Sequence, residues 1–348
     1  MTAISSAEST APRRIAIITD AWHPQVNGVV NTLTHTGREL RQRGHEVLYV
    51  TPEGLHTLPC PTYPEIRLSL WPGRAIRRRL EDFRPTAIHI ATEGPLGAAA
   101  RRYCLRRRYA FTTSFHTQFP EYLRARAPVP LSWSYAWLRR FHRPAAQTMV
   151  PTESQRERLR TWGFERLIVW SRGVDGALFG RVPAHDYGLP RPIFLNVGRV
   201  AVEKNIEAFL DLDLPGSKVV IGDGPDLPRL RSRYPAVHFP GRKLGRDLAA
   251  HVAGADVFVF PSRTDTFGLV LLEAMACGLP VAAYPVTGPL DVVDRDRTGI
   301  LDEDLRAAAV GAMRLRRADC VAHAARYSWA SCTDTFLSNL TAMRPQHV

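Results

Sequence analysis

No stretch of this sequence reaches the 18 or more uninterrupted apolar residues that a membrane-spanning helix needs, which excludes a helical span. Cysteine is scarce. Cys60, Cys104, Cys277, Cys320 and Cys332 form no CxxC pair, leave an odd count and lack zinc-finger spacing. They read as reduced thiols of a cytosolic protein, filling positions in or near the core. Met1 to Arg14 is rich in Ser, Thr and Ala and lacks the apolar segment of a secretory signal, so a cytoplasmic location is expected. Lysine is the rarest charged residue, with three against 43 arginines. An apolar fraction of 45% and a charged fraction of 23% exclude disorder and collagen-like repetition as whole-chain descriptions. At roughly 100–200 residues per domain, the length of 348 implies two domains.

Charge is unevenly spread. Residues 1–180 hold 26 arginines against 14 acids, net +12, whereas residues 181–348 hold 20 basic and 19 acidic groups, net +1. GC-rich coding accounts for Arg over Lys but not for this asymmetry. A half so basic should attract nucleic acid, anionic lipid headgroups or anionic glycans.

Arg14-Ile-Ala-Ile-Ile-Thr19 reads as a buried parallel strand. A Pro24-Gln-Val-Asn27-Gly28 loop follows; Val29, Val30, Leu33 and Leu40 then recur at helical spacing until Arg43-Gly44 ends the helix. Glu46–Val50, Ala87–Ala91, Ala110–Ser114, Thr148–Pro151 and Leu167–Ser171 are further strand candidates. Strands alternating with helices imply a doubly wound α/β sheet with right-handed crossovers. Gly180 to Pro192, GRVPAHDYGLPRP, reads as a linker, placing one domain at 1–182 and another at 183–328. The pattern then restarts, with strands at Pro192–Val197, Lys218–Ile221, Asp256–Phe260 and Leu279–Tyr284 and helices through Ala208–Leu210 and Gly268–Cys277. A closing helix at about 329–345 should pack back on the first domain. The fold class is therefore α/β, two Rossmann-like domains in series. Ligands of such sheets sit at the carboxyl ends of the strands near a switch point, so the chemistry is expected in a cleft between two facing sheets.

Three words in the second half carry that chemistry. Gly198-Arg199-Val-Ala-Val-Glu-Lys204-Asn205 puts two cations after a strand; a phosphate clamp and a solvated helix face both fit, and the rarity of lysine favours the clamp. Gly222-Asp-Gly224-Pro225 is a strand-to-helix turn whose missing side chains admit close backbone approach to a ligand, although most such turns are only turns. Pro261 to Gly278 places Asp265 in a loop, Gly268 at a helix start and Glu273 about two turns on. Free N–H groups at a helix start favour an anion, and carboxylates accept hydrogen bonds from sugar hydroxyls. Two acids eight apart recur by chance; the whole word is specific. Asp-x-Asp occurs at Asp211/Asp213, Asp294/Asp296 and Asp302/Asp304 and reads as background in an acid-rich half, so no metal is expected.

Together with Thr19-Asp-Ala-Trp-His-Pro-Gln-Val-Asn-Gly28-Val, Ser114-Phe-His116-Thr, Val150-Pro-Thr and Arg172-Gly-Val-Asp175, these words resemble the retaining glycosyltransferases of family GT4, with the GT-B architecture of two facing Rossmann domains. The sequence is most similar to the subgroup of mannosyltransferases and sulfoquinovosyl- or glucosyl-diacylglycerol synthases, over most of its length. The resemblance implies that Arg199 and Lys204 hold the diphosphate of a nucleotide sugar, with Gly198, Gly222 and Gly224 beside it. It assigns Glu273 to the ribose, and Asp265 with the backbone of Phe267, Gly268 and Leu269 to the transferred sugar. The loop Gly241–Leu244, with Lys243 and Leu244, would meet the base, Asn27-Gly28 would cap the diphosphate, and His116 would line the reacting face. A histidine after a strand is often purely structural; the Ser-Phe-His-Thr word at a strand's carboxyl end points to function. Many members have Gly-Gly in place of Asn27-Gly28 and Glu in place of Asp265. The implied mechanism is front-face attack, with neither carboxylate as nucleophile and no cofactor or metal; Arg199, Lys204 and helix N-termini neutralise the leaving diphosphate.

The implied reaction moves a hexose from GDP-mannose or a UDP-hexose to an acceptor, a membrane lipid such as diacylglycerol or phosphatidylinositol. Ile76, Leu80 and Phe83 share one face opposite Arg74, Arg77, Arg78 and Arg79, and Trp133, Trp137 and Phe141 recur beside Arg139, Arg140 and Arg143. Such basic helices suit an anionic membrane surface, and equally a solvated face over an aromatic core. The rival readings are a transferase of lipopolysaccharide or polysaccharide assembly, another enzyme on this fold such as an epimerase or phosphorylase, and a nucleic-acid-binding protein. The last leaves the donor-site words unexplained and brings no RNA-recognition word or basic zipper, so no nucleic-acid partner is expected.

Overall fold

Ile15, Ala16, Ile17 and Ile18 have no exposed surface, as a strand covered on both faces requires. A computed structural model of the chain describes residues 12–25, 27–60, 63–124, 128–180 and 182–343. Its strands are β1 (Arg14–Ile18), β2 (Glu46–Val50), β3 (Thr57–Cys60), β4 (Tyr63–Ser69), β5 (Ala87–Ile90), β6 (Thr112–Ser114), β7 (Gln147–Val150), β8 (Leu167–Val169), β9 (Ile193–Val197), β10 (Ser217–Ile221), β11 (His238–Gly241), β12 (Val257–Phe260), β13 (Val281–Ala283) and β14 (Gly299–Leu301). Two six-stranded parallel sheets result, ordered β2-β1-β5-β6-β7-β8 and β11-β10-β9-β12-β13-β14, with β3 and β4 forming a separate antiparallel hairpin. The α/β class with two Rossmann-like halves is as the sequence implies.

Two compact units carry these sheets. The first comprises the described residues up to His116, Ser132–Ser171 and those from Trp329; the second comprises Thr117–Leu131 and Arg172–Ser328. The sequence reading set the boundary at 182/183, eleven residues later than the changeover at Ser171. The physical reason is Val174 and Phe179, which are buried in the core of the second unit, and Val174 N–H, which donates to the Tyr327 carbonyl at 3.0 Å. Residue 181 of the proposed linker, Val26 of the first loop and residues 344–345 of the closing helix lie outside the described residues.

The closing helix runs Trp329–Ser338 and belongs to the first unit. Trp329 stacks on His35 at 4.5 Å, the Trp170 indole donates to the Cys332 carbonyl at 3.0 Å, and Phe336 packs fully buried against His89 and Trp170. In the first sheet β1 lies between β2 and β5, and the helix Pro95–Arg107 follows β5. That helix start is filled by the chain itself: the Asp20 carboxylate accepts from Leu96 N–H at 2.8 Å, Gly97 N–H at 3.3 Å and the Thr92 hydroxyl at 2.8 Å. Burial pushes Asp20 up to about 6 despite those donors.

In the second sheet the strands run outward in both directions from the adjacent pair β9 and β12, through β10 to β11 and through β13 to β14. The loops after β9 and β12 therefore leave a topological switch point, where open α/β sheets bind ligands.

Candidate functional site

The loop after β9 is pinned to the loop after β10. Gly198 N–H donates to the Ile221 carbonyl at 3.0 Å, Val200 N–H to the Asp223 carbonyl at 2.9 Å, and Asp226 N–H to the Val200 carbonyl at 3.1 Å. Glycine is what allows this approach: a Cβ on Gly222 would stand 1.8 Å from the Gly198 oxygen, and one on Gly224 2.3 Å from the Val200 oxygen. The close backbone approach that these two glycines permit is thus to their own neighbouring loop. Half-buried Arg199 sits between the two pinned residues and inherits a fixed origin.

Val200 and Ala201 are buried and anchor the next turn, Val202–Lys204. Asn205 takes a left-handed conformation (φ 52°) and its amide donates to the Pro261 carbonyl at 3.0 Å, while the Thr264 hydroxyl donates to the Glu203 carbonyl at 3.2 Å. These bonds lock the β9 loop to the β12 loop. They present Lys204 to Asp265, with the ammonium donating to Oδ1 at 2.6 Å and side chains only 24% and 16% exposed. Burial opposes the charge on Lys204, but the adjacent Asp265 carboxylate, with Tyr122 and Glu203, raises its pKa above the ordinary value, so the ammonium stays charged. The second oxygen of Asp265, Oδ2, is buried and accepts no hydrogen bond among the described residues.

Phe267 is buried in the core beneath this loop, and Gly268 (φ 81°) turns the chain into the helix Leu269–Ala276, which no side chain caps. Glu273 lies half-buried on that helix, between buried Leu272 and Ala274, with no hydrogen bond or ion pair among the described residues; burial pushes its carboxyl up to about 7. On the loop after β11, Lys243 pairs with Asp247 at 3.1 Å and exposed Leu244 precedes the helix Gly245–Ala253.

The remaining candidates belong to the first unit. Asn27 caps the helix Gly28–Gln42, its Oδ1 accepting from Val29 and Val30 N–H at 3.0 Å each, so its carbonyl is already engaged. Gly28 is that helix's first residue. His116 follows β6, half-buried, with Nε2 2.8 Å from the Ser114 hydroxyl and its ring edge-on to Trp170. Ser114 also lies 3.1 Å from Nε2 of fully buried His89, making a short polar chain.

Two residues escaped the sequence reading. A Cβ on Gly288 (φ 95°) would stand 3.0 Å from the Asp265 oxygen, so this glycine braces the Asp265 loop; the Gly-Pro289 turn word was its signal. Tyr122, on the short helix Phe119–Arg124 of the second unit, hydrogen-bonds Thr264, and burial pushes its phenol up to about 12. Nothing local in the sequence marks it.

Most Asp-x-Asp carboxylates have structural duties. Asp211 accepts from the Tyr234 hydroxyl, Asp294 lies 3.7 Å from Arg297, Asp302 accepts from Asp304 N–H, and Asp304 caps the helix Leu305–Ala312. On the basic helices, Ile76 and Leu80 face the core, leaving Arg74, Arg77 and Arg78 outward. Phe141 is buried too, but Trp71, Trp133 and Trp137 are 89%, 73% and 51% exposed. No helix among the described residues is long and apolar enough to cross a membrane.

Residues 26–177 match the model of "Glycosyltransferase Family 4" and residues 191–317 that of "Glycosyl transferases group 1". The chain is 32% identical to a GDP-mannose-dependent alpha-mannosyltransferase of Mycobacterium tuberculosis, over 89% of this chain and 87% of the relative. It is also 32% identical to the sulfoquinovosyl transferase SQD2 of Arabidopsis thaliana, over 83% of this chain and 62% of the relative. Among solved structures, sucrose-phosphate synthase of Thermosynechococcus elongatus superposes with a TM-score of 0.75 at 20% identity, covering 93% and 97% of the two chains. The chain belongs to glycosyltransferase family 4: it is a glycosyltransferase built on two Rossmann-like domains of the GT-B class.

Proposed function

We propose that this glycosyltransferase moves a hexose from a GDP- or UDP-linked donor to a membrane lipid, with retention at the anomeric carbon and without a metal. The observation that carries the donor assignment is the Lys204–Asp265 pair at the switch point of the second sheet. An ammonium has three donors. One is held by Asp265, which leaves the others for a diphosphate, and the buried free oxygen of Asp265 is an acceptor suited to a sugar hydroxyl. Glu273, whose carboxyl has no hydrogen-bond or ion-pair partner among the described residues, is suited to the paired hydroxyls of a ribose.

Breaking the sugar–diphosphate bond builds positive charge on the anomeric carbon and negative charge on the leaving oxygen. Fixed cations at that oxygen act only where the charge appears, which is the condition for acceleration. Lys204, kept charged by Asp265, and Arg199, on a loop fixed at both flanks, meet this condition. The acceptor hydroxyl then attacks from the face the diphosphate leaves and gives its proton to the departing phosphate oxygen. Asp265 is committed to Lys204, so it is a poor candidate for a covalent nucleophile; a trapped sugar adduct on Asp265 would defeat this mechanism.

The relatives named above use a GDP-mannose donor or transfer sulfoquinovose, which supports a nucleotide hexose as donor. The exposed tryptophans and the basic first half support a protein lying on the cytoplasmic face of an anionic membrane rather than one binding nucleic acid. The test is a panel of nucleotide sugars incubated with lipid extract, with and without EDTA, followed by determination of the product anomer. Transfer that survives chelation and keeps the donor's anomeric configuration is expected. Inversion, or loss of activity in EDTA, would overturn the corresponding part of the proposal.

A further inference from the structure

An open groove of about 750 Å³ indents the surface of the first unit, lined by Arg101, Arg139, Arg140, Arg143, Arg166 and Glu165. Five guanidiniums therefore face one carboxylate, yet none of the five forms an ion pair among the described residues. Several arginines elsewhere in the same unit do have carboxylate partners: Arg107 with Glu81, Arg43 with Asp334, Arg156 with Glu153, and Arg160 with Glu157. The groove is thus a local excess of unneutralised charge; burial, and after it the like charge of Arg140, disfavours the cationic form of Arg101.

The walls are fixed from behind. Arg101 donates through Nε to the Phe141 carbonyl at 2.9 Å and through Nη2 to the Arg140 carbonyl at 3.0 Å; Arg166 donates to the Arg143 carbonyl and Arg139 to the Trp162 carbonyl. Arg101 thereby satisfies two orphan carbonyls in the last turn of the helix Leu131–His142, and Arg166 that of Arg143 just beyond it. A guanidinium carries five N–H donors in a fixed fork, so each retains donors after this duty. The Arg140 and Arg143 side chains make no hydrogen bond at all among the described residues and remain exposed.

Trp133, Trp137 and Arg140 stand at i, i+4 and i+7 on this helix, so they share one face, and both indoles are exposed. Exposed indoles beside guanidiniums match a membrane interface, where the rings sit at headgroup level. We propose that this groove binds the phosphate of an anionic phospholipid and seats the helix Leu131–His142 on the membrane surface. The inference rests on the peripheral-membrane reading above and adds the place and the chemistry of attachment.

The test uses the full chain and phosphatidylcholine vesicles with and without phosphatidylglycerol, compared for wild type, R140Q/R143Q and the equal-charge control R229Q/R233Q from the second unit. Wild type is expected to bind only the vesicles holding phosphatidylglycerol. R140Q/R143Q is expected to partition roughly 30-fold less, from the usual contribution of an arginine near an anionic surface, and the control to match wild type. Donor-sugar hydrolysis in solution should be equal in all three. If wild type binds neither vesicle, the peripheral-membrane reading falls and this site with it. If wild type binds and R140Q/R143Q binds equally well, the groove assignment alone is overturned. A variant that loses affinity for inorganic phosphate while keeping its vesicle binding assigns the groove to free phosphate and also overturns the proposal. So does wild-type binding to single-stranded RNA as tight as to the anionic vesicles.

Discussion

Replacing Lys204 by alanine separates the two duties of one side chain. In the structure the ammonium sits 2.6 Å from Asp265, with both side chains largely covered. At an effective dielectric of about 20 their gross attraction is roughly 6 kcal/mol, and desolvation offsets much of it. Truncation strands the Asp265 carboxylate; for a fully buried pair that costs about 3–5 kcal/mol, and the residual exposure here brings the expected loss to about 1–3 kcal/mol. Loss of a transition-state contact to the leaving diphosphate should cost about 10²–10³-fold in kcat. The assay pairs thermal unfolding with transfer kinetics for K204A, D265N and the double variant K204A/D265N. Removing the stranded charge should restore most of the stability in the double variant, while transfer stays low. A double variant that recovered both stability and turnover would show that Lys204 serves only the fold. Near-wild-type turnover in K204A alone would refute the donor-site reasoning outright.

Two further outcomes follow from the same site. Gly222→Ala forces a Cβ into the Gly198 carbonyl and should cost about 1–3 kcal/mol of stability, with a fall in kcat/KM as the Arg199 loop shifts; unchanged stability and kinetics would contradict the pinned-loop account. Glu273 holds its proton more tightly when folded, with a pKa near 7 against an ordinary 4.5, so its contribution to stability is greatest below 4.5 and is lost as pH rises through about 7. The stability of Glu273→Gln should therefore exceed wild type by a margin that grows by about 1–3 kcal/mol across that window, as urea unfolding at several pH values would measure. Wild-type kcat/KM should rise through the same pKa as the carboxylate becomes an acceptor for hydroxyls, and a flat profile would exclude Glu273 from donor binding.

Much of the fold was legible because it rests on local pattern. The run Ile15–Ile18 reads as a doubly covered strand, and the spaced Val29, Val30, Leu33 and Leu40 mark a helix ending at Arg43-Gly44; that Asn27 caps it is seen only in the structure. The strands that the sequence reading does not name carry contrary local signals: Pro59 in β3, Pro64 in β4 and Pro240 in β11, where proline removes a ladder donor, and only three residues in β14. Gly222 and Gly224 were visible as a turn, but the partner they admit, the Gly198–Val200 backbone, is a tertiary neighbour. The same holds for Lys204 and Asp265, 61 residues apart: each was legible as chemistry, whereas their ion pair requires β9 and β12 to be adjacent in the sheet. Gly288 and Tyr122 act through loops that meet only in three dimensions.

A crystal structure of the chain with GDP or UDP bound tests the central claim most directly. It should show the diphosphate within hydrogen-bonding distance of the Lys204 ammonium and beside Arg199, with the ribose hydroxyls on the Glu273 carboxylate. A nucleotide bound elsewhere, with Lys204 still closed on Asp265 and out of reach of any phosphate oxygen, would contradict it.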